Sequence, residues 1–347
     1  MKKFGRFLLI TCIILLLIAA FETYHEVRSP CVNNAATLVY LPKGTSATKV
    51  GRILQNKGVL RHAFAFSLWC RLHDAPLKAG WYDIPAGLSL KDLVDYIASG
   101  KNAEHRITIP EGRATWEFPE YLRQGFPDID SVRWDSLTHD SAFAHSLGVD
   151  ADNLEGYLFP ATYPFPYEAK MEDIIARMVK ENLRLRDELK AKASPLWDSL
   201  GGWHQVLTLA SLVEEETGNP DERPLIAGVF LNRLKDGITL GSDPSVRFIF
   251  RKLTGPLLKS ELDSDSPYNT RKFMGLMPGP ISNPGRAAIE AVLFPQKTDK
   301  LYFVAKDDGS KTHYFSASLK EHDQFRRLAN KNRKAFLAAH PGASVPE

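Results

Sequence analysis

Three cysteines among 347 residues, at positions 12, 31 and 70, are too few for a disulfide framework, and no Cys-x-x-Cys pair offers a zinc site. The ten histidines are scattered and none belongs to a His-Glu-x-x-His pair, so no metal is expected. A glycine-rich phosphate loop is missing, as are internal repeats and low-complexity tracts, and no cofactor is expected. Ser46-Ala-Thr-Lys49 has the spacing of acyl-serine enzymes, but no Ser-Asp-Asn or Lys-Thr-Gly follows it. A dominant charge is lacking too. The chain carries 44 basic and 41 acidic residues, and Lys2, Lys3 and Arg6 supply the whole excess. The neutral remainder has no footprint for nucleic acid.

One long hydrophobic run is present, and it stands at the start. Residues 7–21 contain no charge and follow the basic head 1–6. Such a segment is a signal-peptide core or a single membrane anchor. No small-x-small cleavage site is clear after it, and Arg28-Ser29-Pro30 before Cys31 is not a lipoprotein pattern. An uncleaved anchor is the expectation: head in the cytoplasm, residues 7–21 across the inner membrane, 22–36 as a tether, and the remainder periplasmic. A Cys31–Cys70 bridge is not expected.

Beyond the tether the pattern is α+β. Residues 37–41 alternate as a strand, 46–54 and 62–72 read as helices, 77–84 as a strand, and 89–98 as a helix with Leu90, Leu93, Val94 and Ile97 inward. This small module ends near residue 104. A larger, mainly helical domain is expected over 105–340. It opens on a strand at 106–109, with a poorly periodic helical stretch at 116–147 and a charge-laced outer helix at 169–193. Helices at 203–216, 220–235, 244–252, 284–294 and 319–338 follow, and a β-hairpin joins 301–305 to 312–315.

The run from Leu207 to Thr217 carries the strongest chemical signal. Leu207, Ala210, Ser211 and Glu214 fall at i, i+3, i+4 and i+7, so Glu214 continues an apolar or small-residue stripe. A carboxyl at the end of such a stripe is desolvated, and desolvation raises its pKa. A neutral carboxylic acid is what acid-catalysed cleavage of a glycosidic bond requires. Gly218 is expected just past the helix end, with Asn219 capping the next helix and Glu222 closing a capping box. The bland alternative is a solvated acidic cluster, Glu214-Glu215-Glu216, at a helix terminus.

Other runs fit a sugar ligand. Residues 154–163 bring aromatic rings, Gly156, Pro160 and Glu155 into a non-periodic string, suited to stacking on a sugar face while bonding its edge. A packed loop explains the same residues equally well. Ser266-Pro267-Tyr268-Asn269-Thr270 is a second polar-aromatic loop, and 275–285 a third, rich in Pro and Gly. Asp243, before Pro244, also has a structural reading as an N-cap. His313 and His322 read as structural or surface groups.

With these motifs in order, the chain resembles the endolytic murein transglycosylases of the MltG (YceG-like) family. The resemblance rests on Ile109-Pro-Glu-Gly112, the string 154–163, Ala210–Thr217 and Val229-Phe-Leu-Asn-Arg-Leu234. Asp243-Pro244, the loops 266–270 and 275–285, and Leu301-Tyr-Phe-Val-Ala305 complete it. It implies a LysM-like subdomain at 37–104 and a catalytic domain at 105–340. It also implies a lytic cut of nascent peptidoglycan between N-acetylmuramic acid and N-acetylglucosamine, leaving 1,6-anhydro ends and ending strand elongation. The catalytic glutamate then falls on Glu214. Glu155, Tyr157, Glu216, Asp243, Tyr268, Asn269 and Thr270 become substrate-binding candidates. Membrane-bound glycan polymerases become expected partners. A two-carboxylate muramidase, drawing on Glu155 or Glu216, and a non-catalytic wall-binding scaffold remain alternatives. Three positions depart from the family pattern: Gly241-Ser242 for Gln-Thr, Arg271 for Tyr, and Met277 for Pro.

Overall fold

The computed structural model describes residues 31–192 and 194–340 together with scattered positions between 11 and 24. Most of the apolar run 7–21 and its basic head therefore lie outside the described residues. Among those described, no helix is long and apolar enough to cross a membrane. The architecture is α+β, with fourteen helices and three two-stranded sheets among the described residues. The chain divides into two compact units, one holding residues up to His105 with Pro164–Glu168, the other Arg106–Tyr163 with Ala169 onward.

In the first unit, strand β1 (Thr37–Leu41) pairs antiparallel with β2 (Gly80–Ile84), Val39 standing opposite Tyr82. Alternation turns Val39, Leu41, Tyr82 and Ile84 inward. Helices α1 (Ala47–Asn56), α2 (Ala63–Leu72) and α3 (Leu90–Ser99) cover that face with Val50, Leu54, Phe66, Leu93 and Ile97. Ser46 and Ser89 cap α1 and α3 by accepting the amides of Lys49 and Asp92. Cys31 and Cys70 are buried in this core and no disulfide joins them.

Strands β3 (Glu104–Thr108) and β4 (Thr162–Pro166) form the second sheet. The stretch between them is broken into a 3-10 turn (Thr115–Glu117) and short helices α4 (Phe118–Leu122), α5 (Ser131–Thr138) and α6 (Ser141–Ser146). Its weak periodicity has that cause. Helix α7 (Met171–Lys190) is charge-laced on one side only; Ile174, Ile175, Met178, Val179, Leu185 and Leu189 are buried on the other. Its charged side is exposed, as expected of an outer helix, while the other face packs into the core. Helix α8 (Leu196–Leu200) follows.

At the centre of the second unit is α9 (Trp203–Glu216), buried all round through Val206, Leu207, Leu209, Ala210, Leu212 and Val213. Helices α10 (Arg223–Lys235) and α13 (Arg286–Leu293) pack against it. Each buried Leu or Val stabilises by about 1.5–3 kcal/mol over exposure. Three acids in the last turn oppose the helix dipole by about 0.3–1 kcal/mol each, so burial dominates and the acidic end is carried by the core. Between α10 and α13 lie α11 (Asp243–Ile249) and the single turn α12 (Lys259–Leu262). A hairpin of β5 (Tyr302–Ala305) and β6 (His313–Ser316) follows, with α14 (Leu319–Ala339) packed on it.

Two local expectations are corrected. Helix α10 begins at Arg223 instead of Pro220, because the Glu222 carboxylate turns away to His313 and closes no capping box. Asp243 is the first residue of α11 and caps nothing; Ser242 holds the N-cap position.

Candidate active-site cleft

A cleft of about 1270 Å³ opens beside the C-terminal end of α9. Its walls come from the 112–117 loop, the last turn of α9, the start of α11, the 252–257 turn and the β5–β6 hairpin. Glu215 and Glu216 line it, with Arg233, Asp243 and Arg247. On another side stand Trp116 and Phe248, their rings 5.1 Å apart, with Tyr268 a further 5.1 Å behind Phe248 and the Arg251 guanidinium 5.1 Å from Trp116. Flat rings beside carboxyls and guanidinium groups suit a polar ligand with apolar faces.

The three consecutive glutamates have three different environments, since each helical step turns a side chain by roughly 100°. Glu214 points inward and its side chain is 5% exposed. Its Oε1 accepts from Arg223 at 2.5 Å, and its Oε2 from the Gly285 amide at 3.0 Å. Glu111 lies 3.8 Å from the same guanidinium. Glu111 also lies over Gly285, where a Cβ would come within 2.0 Å of its carboxyl carbon. Burial raises the Glu214 carboxyl above its ordinary range, against the pull of Arg223 and the Gly285 amide. Glu214 is not among the cleft-lining residues.

Glu215 lies against Gly112, whose φ of +73° and 2.8 Å clearance to the Glu215 carboxylate leave no room for a side chain. Desolvation, opposed by Ser282 and reinforced by Glu214 and Glu117, pushes Glu215 up to about 7. The residue is nonetheless exposed, so water screens much of that push.

Glu216 is half-buried on the cleft wall. Desolvation pushes it up to about 7, with Asp243 adding to the rise and Ser242 and Arg233 pulling down. The Ser242 hydroxyl is buried and meets no partner at hydrogen-bonding geometry, so it approaches Glu216 without a formed bond and opposes the rise only weakly. The backbone around it is fixed. Gly241 N–H donates to the Thr270 carbonyl at 2.8 Å, Ser242 N–H to Thr270 Oγ1 at 3.0 Å, and Arg233 holds the Leu240 carbonyl at 2.7 Å.

The other expected substrate residues are placed behind the walls. Buried Glu155 accepts from Thr115 N–H and hydroxyl, the latter at 2.8 Å, and from the Asn283 amide at 3.0 Å. Burial pushes its carboxyl up to about 8 against those bonds. Tyr157 donates to His204 Nδ1 at 2.9 Å, and His204 Nε2 donates to the Pro278 carbonyl at 2.9 Å. Asn269 ties the carbonyls of Leu262 and Ser264. Thr270 clasps Ser242 and Ser245. Of the residues expected to bind substrate, Glu216 and Asp243 reach the cleft, and Tyr268 backs its aromatic wall.

Asp243 pairs with Arg271 at 2.6 Å, which accounts for the arginine that departs from the family pattern. Met277 is buried, so its substitution is a packing matter. Residues that sequence patterning did not single out are Arg223, Trp116, Phe248 and Asn283, and Arg233 stood only within the 229–234 motif. Asn283 is wholly buried and bonds the Leu158 amide and the Arg113 carbonyl as well as Glu155. Its only sequence signal was membership of the Pro/Gly-rich loop.

An α+β protein with an acid-bearing cleft at the end of a buried helix is the class these observations define. Comparison with known proteins gives the family. Residues 39–327 match the YceG-like family, and the chain belongs to it. It is 33% identical to an endolytic murein transglycosylase of Bacillus subtilis, over 91% of this chain and 92% of that protein. A Streptococcus pneumoniae protein of the same name is 31% identical over 82% of this chain, which spans 57% of that longer protein. A 2.6 Å crystal structure of a YceG-like protein from Listeria monocytogenes is 32% identical and superposes with a TM-score of 0.56, covering 84% of this chain and 99% of the other.

Proposed function

We propose that this protein is an endolytic lytic transglycosylase of peptidoglycan, cutting glycan strands between N-acetylmuramic acid and N-acetylglucosamine, with Glu216 as its acid. The observation that carries the assignment of the acid is the placement of Glu216: dry enough to hold a proton up to about pH 7, yet on the cleft wall. The relatives' shared activity supports the substrate class.

Glu216 gives its proton to the bridging oxygen, which keeps the electron pair as its bond to the anomeric carbon breaks. The muramic 6-hydroxyl oxygen then bonds to that carbon, and its proton returns to Glu216. Atoms balance without water. Because the nucleophile belongs to the substrate, one carboxyl serves as both acid and base. Arg233 and Ser242 stabilise the ionised intermediate state of Glu216. Glu214, paired to Arg223, holds the end of α9 against the 275–285 loop. Asp243 with Arg271, and the Trp116–Phe248 wall, contact the strand.

A muramidase has one specific observation in its favour: Glu215 stands in the same cleft. Product mass on purified sacculi separates the two, since a hydrolase leaves ends one water heavier than anhydro ends. Cleavage that yields only reducing ends would sink the lyase reading. The scaffold reading requires no new chain ends at all. The LysM-like role of 37–104, the anchor at 7–21, and association with membrane-bound polymerases near emerging strands belong to the same proposal.

A further inference from the structure

One cleft wall takes no part in that acid–base scheme. His313 opens β6 and lines the cleft with its cross-strand partner Ala305. The Glu222 carboxylate grips it twice. Oε1 accepts the His313 backbone N–H at 2.9 Å, and Oε2 lies 2.7 Å from ring Nδ1. Both side chains are mostly enclosed, at 12% and 14% exposure. A carboxylate oxygen only accepts, so Nδ1 carries the hydrogen, and in the neutral ring Nε2 presents a lone pair. Nε2 has no hydrogen-bond partner among the described residues. Phe303 meets the ring edge-on at 5.6 Å and limits its rotation.

The plain alternative is a staple between the hairpin and the start of α10. The backbone bond to Oε1 already makes that staple. The second bond does something a staple does not need: it fixes the tautomer of a ring on the cleft wall and leaves one acceptor atom uncommitted.

We propose that His313 is a substrate-contacting residue, its Nε2 accepting a hydrogen bond from a hydroxyl or amide N–H of an amino-sugar strand, with Glu222 as its positioning residue. The proposal rests on the glycan-cleaving function but not on which carboxyl supplies the proton.

His313→Asn tests it in the full-length protein. The shorter amide can still donate to Glu222 but carries nothing at the Nε2 position. We expect KM for uncrosslinked glycan strands to rise about 3- to 10-fold, the effect of one lost neutral hydrogen bond, with Tm and kcat close to wild type. His313→Gln, whose amide reaches the Nε2 position, should recover part of that loss. An unchanged KM in folded His313→Asn overturns the proposal and leaves a staple. If the asparagine variant does not fold, His313→Gln is compared with His313→Leu: tighter strand binding by Gln at equal Tm supports the contact, and equal binding overturns it. These readouts stay separate from the reaction itself, because wild-type protein that fails to cleave strands would sink the function whatever His313 does.

Discussion

At the scale of single residues, the decisive fact is that three neighbouring carboxyls are not equivalent. The apolar stripe through Leu207, Ala210 and Ser211 was legible in the sequence, and it does run on to Glu214. A continued stripe implies burial, however, and burial is not access to a ligand. Glu214 is engaged by Arg223 and the Gly285 amide, and the acid we propose must be both dry and reachable. Desolvation raises both Glu214 and Glu216, and the proposal of Glu216 as the acid rests on its place in the cleft lining. Sequence alone could not separate them, because Arg223 and Gly285 reach Glu214 across 9 and 71 residues of chain. Glu214→Gln should therefore destabilise the fold by roughly 3–5 kcal/mol, the cost of an orphaned buried partner, with cleavage retained by the folded fraction. A denaturant titration beside a product assay reads both.

The same environment sets a pH dependence. In the proposed mechanism Glu216 must be protonated to start the reaction, and desolvation raises its carboxyl to about 7, so kcat/KM should fall as pH rises through about 7. Ser242→Ala removes a group that weakly pulls Glu216 down, so that descending limb should move slightly to higher pH, while Ser242→Thr should leave it in place. A limb that does not move in the alanine variant would remove Ser242 from the account.

Among structural elements, the loops expected as sugar platforms are held by internal hydrogen bonds, and only Ile281 of them lines the cleft. Residues 154–158, 266–270 and 275–285 spend their polar atoms on one another, on Thr115 and on Ser242. Polar and aromatic residues mixed with Gly and Pro suit a ligand surface and a tight clasp equally, so composition could not decide. Glu155→Ala should strand the Thr115 amide, its hydroxyl and the Asn283 amide in the interior, lowering stability by about 3 kcal/mol or more. A thermal melt checks this. Glu155 also ties stability to pH. Its folded pKa, near 8, lies above the ordinary carboxylate value, so its contribution is complete at low pH and is lost as pH rises from about 4.5 to 8. Glu155→Gln should flatten the stability–pH curve over that window, and an unchanged slope would show that the carboxyl ionises freely in the fold.

For the molecule as a whole, strong periodicity made most elements legible. The helix expected at 203–216 is α9 to the residue, and the hairpin lies within a residue or so of its expected strands. Strand β4 went unseen because its two prolines, Pro164 and Pro166, argue against a strand in any sequence reading. The buried role of α7 was hidden by its charged face. The family relationship spans nearly the whole chain, and the cleft lies within the residues it covers.

In the proposed mechanism Glu216, and not its neighbour two residues earlier, supplies the proton for a water-free cut. The most direct measurement is mass analysis of the ends released from sacculi by wild-type, Glu216→Gln and Glu214→Gln proteins, each shown to be folded. Wild type and folded Glu214→Gln should release 1,6-anhydro ends, and Glu216→Gln none. Anhydro ends from Glu216→Gln at the wild-type rate would contradict that mechanism.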